Sequence, residues 1–195
     1  AWPVMHEAFA VPLSWAGMVT MIISGGTICS SLMSERLTKK FGTQIVTVFS
    51  VMLTAIALFG FSTASAFWML CLWAIPYGLG AGAIDAALNN YVALHYNSRH
   101  MSWLHCFWGV GTIISPYIMS YALTHSTWNH GYRMVSYLQF AIVVILLLSI
   151  PLWNIHKQSH QEQQKTPVLG IKGALKIKGV PTLLIGFFAY CAAEA

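Results

Sequence analysis

Two carboxylates stand where the chain is otherwise free of charge. Asp85 interrupts an apolar run from about 66 to 92, and Glu194 lies in another that starts near 180. If these runs cross a membrane, an aspartate at a helix centre costs about 2.5–3.5 kcal/mol on insertion scales. Such a group normally faces a cavity and serves an ion or a solute; the plainer alternative is a carboxyl that is simply protonated or paired. Glu194, about 14 residues into its run, lies about 21 Å deep at 1.5 Å per residue. Around Asp85, helical spacing puts Gly78, Gly82, Asp85 and Asn89 on one face. Glycines four apart invite close packing, while Asp85 and Asn89, one turn apart, offer hydrogen bonds to a polar solute. In a further run His105, Gly109, Thr112 and Pro116 share a face, with Trp103 and Trp108 nearby. His105 suits a proton relay or a solute ligand, or it is simply a hydrated residue near a helix end. Pro116 is expected to bend its helix by removing a backbone bond.

The elements that must position these residues follow from composition. Hydrophobic residues make up 57% of the 195 and charged residues 8%, against about 25% charged in an average soluble domain. No single core could hide that much apolar surface. Spanning a bilayer core of about 30 Å takes about 20 residues of helix. Six charge-poor runs approach that length: 11–34, 43–62, 66–92, 102–123, 133–153, and a shorter one from about 180 onward. They are too long and too unalternating for barrel strands. The expected fold is an all-α membrane protein, a polytopic helical bundle.

Charge sets its orientation. Arg36, Lys39 and Lys40 fall between the first two runs, Arg99 between the third and fourth, and Lys157, Lys165, Lys172, Lys176 and Lys178 after the fifth. Alternate loops share a side, and of the ten basic residues only Arg133 lies opposite. The segments 35–42, 93–101 and 154–179 are therefore expected to be cytoplasmic and the amino-terminal stretch external. This divides the chain into a transmembrane bundle over 1–153, a cytoplasmic connector over 154–179, and the start of a second bundle over 180–195. The connector's basic, weakly amphipathic end, from Gly170 to Lys178, suits either a solvated linker or contact with anionic lipid. A net charge of +5 is accounted for by these loops and gives no reason to expect nucleic acid. Cys29, Cys71, Cys106 and Cys191 all sit in apolar runs without a C-x-x-C pair, so neither a disulfide framework nor zinc is expected. The chain opens Ala-Trp-Pro without a signal peptide and ends inside an apolar run, which leads us to expect a fragment.

Three stretches together resemble the major facilitator superfamily: Ser31 to Thr43, the Asp85 helix, and Leu104-His105-Cys106-Phe107-Trp108-Gly109-Val110-Gly111. The first corresponds to that family's loop between helices 2 and 3, in degenerate form. Ser31 replaces a glycine, Glu35-Arg36 resembles the acid-arginine pair, and Lys39-Lys40-Phe41-Gly42 replaces the closing basic cluster. The resemblance implies a gating role for Glu35, Arg36, Lys39 and Lys40. The glycine-rich helix ending Asp-x-x-Leu-Asn-Asn-Tyr-Val, the Leu-His-x-x-Trp-Gly-x-Gly stretch and Gly131-Tyr132-Arg133 are similar to the fucose:proton symporter-like branch, which carries hexoses and related sugars. That likeness implies an N-terminal half of the family fold, with the six runs as helices 2 to 7 and a first helix before Ala1. It also implies proton coupling or sugar binding at Asp85, and an equivalent of a helix 7 acid at Glu194.

The expected function is secondary active transport of a small polar solute, a sugar by resemblance, by alternating access with proton coupling. The expected setting is the lipid bilayer of a plasma membrane such as the bacterial inner membrane. No enzyme activity and no cofactor are expected. Rival readings are an exporter of drugs or metabolites from the same superfamily, whose helix 5 ending Gly111 to Pro116 fits only in part, and a membrane sensor. A haem or intramembrane enzyme is a third, but His95 and His105 both lie towards helix ends and no H-E-x-x-H motif occurs.

Overall fold

The computed structural model describes residues 1–153, 173 and 176–194. Every described element is helical: α1 (Trp2–Ala8), a single 3-10 turn (Leu13–Trp15), α2 (Ala16–Phe41), α3 (Thr43–Thr63), α4 (Phe67–His95), α5 (Ser98–His125), α6 (Trp128–Trp153) and α7 (Val180–Glu194). The protein is thus an all-α membrane protein, and among the described residues five helices, α2 to α6, are long and apolar enough to cross a bilayer. Two compact units divide the chain, Ala1–Ile155 and His156–Ala195. The five long helices belong to the first. In the second, α7 runs for 15 residues, while residues 154–172 of the expected connector lie outside the described residues.

Very short links force neighbouring helices to alternate in direction. Gly42 alone joins α2 to α3, at φ 85°, a left-handed conformation that a side chain would strain. Side-chain bonds and close approaches then fix the partners. Along α3 and α4, Gly60 lies against Trp73 and Gly80 against Ser50 and Thr54, while Val46 packs with Ala83 and Ala87. Numbers that rise on one helix as they fall on the other mark an antiparallel pair. Likewise Asn129 Nδ2 donates to Ser62 O (3.0 Å) and Ser136 Oγ to Ala55 O (2.9 Å), which sets α6 antiparallel to α3. Gly131 of α6 sits against Met119 and Ala122 of α5. The helices therefore adjoin in the order α2, α4, α3, α6, α5, with α4 held between α2 and α3. One end of the unit carries Arg36, Lys39, Lys40 and Arg99, and the opposite end carries Arg133.

The observed helices outrun the charge-free stretches. The first run was expected to end at 34, yet α2 continues to Phe41. Glu35, Arg36, Lys39 and Lys40, expected in a loop, occupy its last two turns. The physical reason is that hydropathy marks only the hydrocarbon, whereas the backbone ladder continues into the headgroup layer wherever side chains tolerate it. Here Glu35 pairs with Lys39 one turn on at 3.0 Å, and lysines in a last turn suit the helix dipole. Similarly α5 begins at Ser98 rather than 102, and α6 at Trp128 rather than 133. α5 continues unbroken past Pro116.

The amino-terminal stretch is also folded. α1 lies against the end that carries Arg133, where Met5 is 3% exposed in a cluster with Leu58, Phe61, Leu70 and Trp128. Trp2 Nε1 donates to Leu13 O at 2.7 Å, and the Phe9 and Trp128 rings meet edge-on at 5.4 Å.

Candidate functional site

α4 carries the centre of the site, and its glycines explain how α4 is seated. A Cβ on Gly78 would strike Ile23 O, and one on Gly82 would strike Thr27 O and Ser30 Oγ. The absence of side chains lets the α2 backbone come close enough for its hydroxyls to reach α4 carbonyls. Thr27 Oγ1 donates to Gly78 O (3.3 Å), Ser31 Oγ to Gly82 O (3.1 Å) and Ser34 Oγ to Ala83 O (3.2 Å). This is the small-residue packing with hydroxyl bonds that holds membrane helices together without a hydrophobic driving force. The glycine face is therefore a helix interface.

Asp85 does not share that interface, although ideal spacing aligns it with Gly78 and Gly82. Beyond Gly82 the contact with α2 moves around α4 to Ala83, which accepts from Ser34, and Leu37 packs on the Val46, Ala83 and Ala87 cluster. Two helices that cross cannot keep one face in register along their whole length. The flank at Asp85 is left open, and Asp85 is exposed. It lies ten residues before His95, the end of α4, so it is about 15 Å inside the helix end. A carboxylate is costly in hydrocarbon, and such groups normally face a cavity or a partner.

Asn89 is brought to Asp85 as the spacing predicts, and its Nδ2 donates to Asp85 Oδ1 at 3.0 Å. Its own Oδ1 is buried and has no hydrogen-bond partner among the described residues. Among the described residues Asp85 has no ion-pair partner. The pair can thus accept a proton at the carboxyl and offer hydrogen bonds of both senses.

The other candidates of this unit form no hydrogen bond or ion pair with this pair among the described residues. His105 is exposed on α5 and makes no hydrogen bond to Asp85 or Asn89; Thr112, on its face, donates within its own helix to Gly109 O at 2.7 Å. Glu35 and Lys39 pair with each other, and Lys40 lies over the Phe41 ring at 5.1 Å. Glu194 is the last residue of α7, and its side chain lies outside the described residues. Among the described residues no three His, Cys, Asp or Glu side chains gather as a metal site would require. The hydroxyl row Thr27, Ser31 and Ser34 escaped the sequence reading. Its signal was present as polar residues three and four apart within an apolar run, which in a membrane helix mark one contact face.

Comparison with known proteins agrees with this architecture. The family model described as "Major Facilitator Superfamily" matches residues 1–194. A similar curated protein is "Bypass of stop codon protein 6" of Saccharomyces cerevisiae, 27% identical over 130 residues, which is 65% of this chain and 26% of that protein. The matched part therefore spans about a quarter of that relative's length. No solved structure matches significantly. Members of the matched family are membrane transporters, and the match covers nearly the whole chain. With five membrane-competent helices and a family match of that extent, this multi-pass chain belongs to the Major Facilitator Superfamily.

Proposed function

We propose that the chain forms one wall of a secondary transporter that moves a sugar or similar hydroxylated solute together with protons, with Asp85 as the proton acceptor and Asn89 beside it. One observation carries the reading: an exposed carboxylate in the interior of a helix long and apolar enough to cross a membrane, hydrogen-bonded to an amide one turn away. Lipid would not tolerate that group, whereas an aqueous pathway would use it. In alternating access Asp85 would take up a proton while the pathway opens to one side and release it to the other, tying solute accumulation to the proton gradient.

The fucose:proton symporter-like branch is the best description of the sequence pattern around Asp85, and a plasma membrane such as the bacterial inner membrane is the setting that suits it. His105 is assigned to the same pathway, Glu194 to solute or proton binding in its own bundle, and Glu35, Arg36, Lys39 and Lys40 to gating at the basic end. Segment 154–179 would be the cytoplasmic connector between the bundle over 1–153 and a second bundle beginning at 180. The test is accumulation of labelled hexoses by the full-length protein in proteoliposomes under an inward proton gradient. Asp85→Asn is expected to abolish gradient-driven accumulation, and undiminished accumulation by that variant would remove Asp85 from the coupling. Uptake of amphiphilic cations in place of sugars would favour the exporter reading.

A further inference from the structure

We infer that Asn89 reads the proton state of Asp85: its carboxamide donates to the charged carboxylate and turns over to accept from the protonated acid. The inference rests on the assignment of Asp85 as the proton acceptor.

The two ends of the amide have unlike surroundings. Nδ2 is engaged, 3.0 Å from Asp85 Oδ1, whereas Oδ1 is buried with no partner among the described residues. An ionised carboxylate only accepts hydrogen bonds, so it requires the N–H end of the amide to face it. Once a proton adds to one Asp85 oxygen, that oxygen becomes a donor while the other can still accept, so the carbonyl end of the amide now has a donor to face. Rotation about the last torsion of an asparagine is broad and two-fold, so turning over meets no steep rotameric barrier. It also gives the orphaned Oδ1 a donor, while Nδ2 moves to the buried side. Proton uptake at the open flank thereby becomes a change of hydrogen-bond polarity inside the unit, from acceptor to donor. The only covalent change is the proton transfer itself: an O–H bond of a hydronium ion breaks, leaving water, and one forms on Asp85.

The titratable groups on the helices packed against α4 can be named. α3 contains none. On α2 they are Cys29, Glu35, Arg36, Lys39 and Lys40, of which Glu35 and Lys39 pair with each other. On α4 itself they are Cys71 and Tyr77 above Asp85, and Tyr91 and His95 below Asn89. The His95 ring stacks on Tyr91 at 4.4 Å, and its Nδ1 bonds Tyr91 O. α5, which meets α4 less extensively, contributes Arg99 and His100 at the end nearest α4, then His105 and Cys106, and Tyr117, Tyr121 and His125 towards its far end. None of these forms a hydrogen bond or ion pair with Asp85 or Asn89 among the described residues.

Infrared difference spectra of the full-length protein in liposomes, acid minus neutral, with the side-chain carbonyl of asparagine isotope-labelled, test this. The Asp85 carboxyl band is assigned by its loss in Asp85→Asn or Asp85→Ala, and the Asn89 amide band by its loss in Asn89→Leu or Asn89→Ser. The expected result is an amide band for Asn89 that shifts with the same pH midpoint as the Asp85 carboxyl band and loses that shift in both Asp85 variants. A carboxyl band that titrates beside a fixed amide band would overturn the inference and leave Asp85 as the proton acceptor. If no carboxyl band depends on Asp85, both readings fall.

Discussion

Gly82→Ala probes the seam that seats α4, and its effect can be worked out from the contacts. An ideal Cβ at Gly82 would lie 2.8 Å from Thr27 Cα, besides striking Thr27 O and Ser30 Oγ. Two of these are backbone atoms, so no side-chain rotation relieves the clash and α2 must move away. Overpacking of a tight interface costs about 1–3 kcal/mol. Separation also strains the Ser31 Oγ bond to Gly82 O, worth about 0.6 kcal/mol by the average for membrane hydroxyls. Alanine's helix propensity offsets up to about 1 kcal/mol. With the full offset the net loss is about 0.6–2.6 kcal/mol, a decrease of roughly 3- to 80-fold in the folded-to-unfolded ratio. Equilibrium unfolding in mixed micelles with increasing SDS, followed by tryptophan fluorescence, measures it. Gly25→Ala on α2 is the control, since a Cβ there meets nothing within 4 Å, and it should match or exceed the parent's stability. If Gly82→Ala were as stable as Gly25→Ala, the close approach of α2 to α4 would be refuted.

Further outcomes follow from the same contacts. Ser136→Ala removes a buried bond to Ala55 O and should cost about 0.6 to 1.7 kcal/mol in the same unfolding assay; no loss would place α6 away from α3. Breaking the partly exposed Glu35–Lys39 pair with Glu35→Gln should change stability by no more than about 0.5 kcal/mol, again read from SDS unfolding. Replacing Arg36, Lys39 and Lys40 together by glutamine should raise the fraction of inverted molecules, because these residues hold three of the basic charges on their side. Labelling of a cysteine placed at Ser126 with an impermeant reagent on intact cells reads that fraction.

How much of this was legible in the sequence depended on the kind of signal. The helices were legible because lipid demands long apolar runs, and a run from 43 to 62 has hardly another reading. Their ends were not, because Glu35 to Lys40 look like a loop to any measure of polarity, whereas helical hydrogen bonding is satisfied there. The single-residue link at Gly42 makes the same point: only the backbone angle shows that one glycine is enough. α1 escaped because seven residues of mixed polarity carry no periodic pattern, and Met5 becomes a core residue only through tertiary contact.

The Asp85–Asn89 pair was legible because its geometry is local, one helical turn. The separation of Asp85 from the Gly78 and Gly82 face was not. It depends on the angle at which α2 crosses α4, which no single-helix pattern encodes. For the same reason the neighbour order α2, α4, α3, α6, α5 could not be read from runs that are apolar on nearly every side.

The claim on which the account rests is that Asp85 faces an aqueous route rather than lipid. With Cys29, Cys71, Cys106 and Cys191 replaced by serine or alanine, a single cysteine at Asp85 in the full-length protein can be challenged with a water-soluble, membrane-impermeant thiol reagent. Phe49, apolar and 66% exposed on α3, provides the comparison. The account predicts that Asp85→Cys is modified while Phe49→Cys is spared; an unreactive cysteine at position 85 with reagent on both sides of the membrane would contradict it.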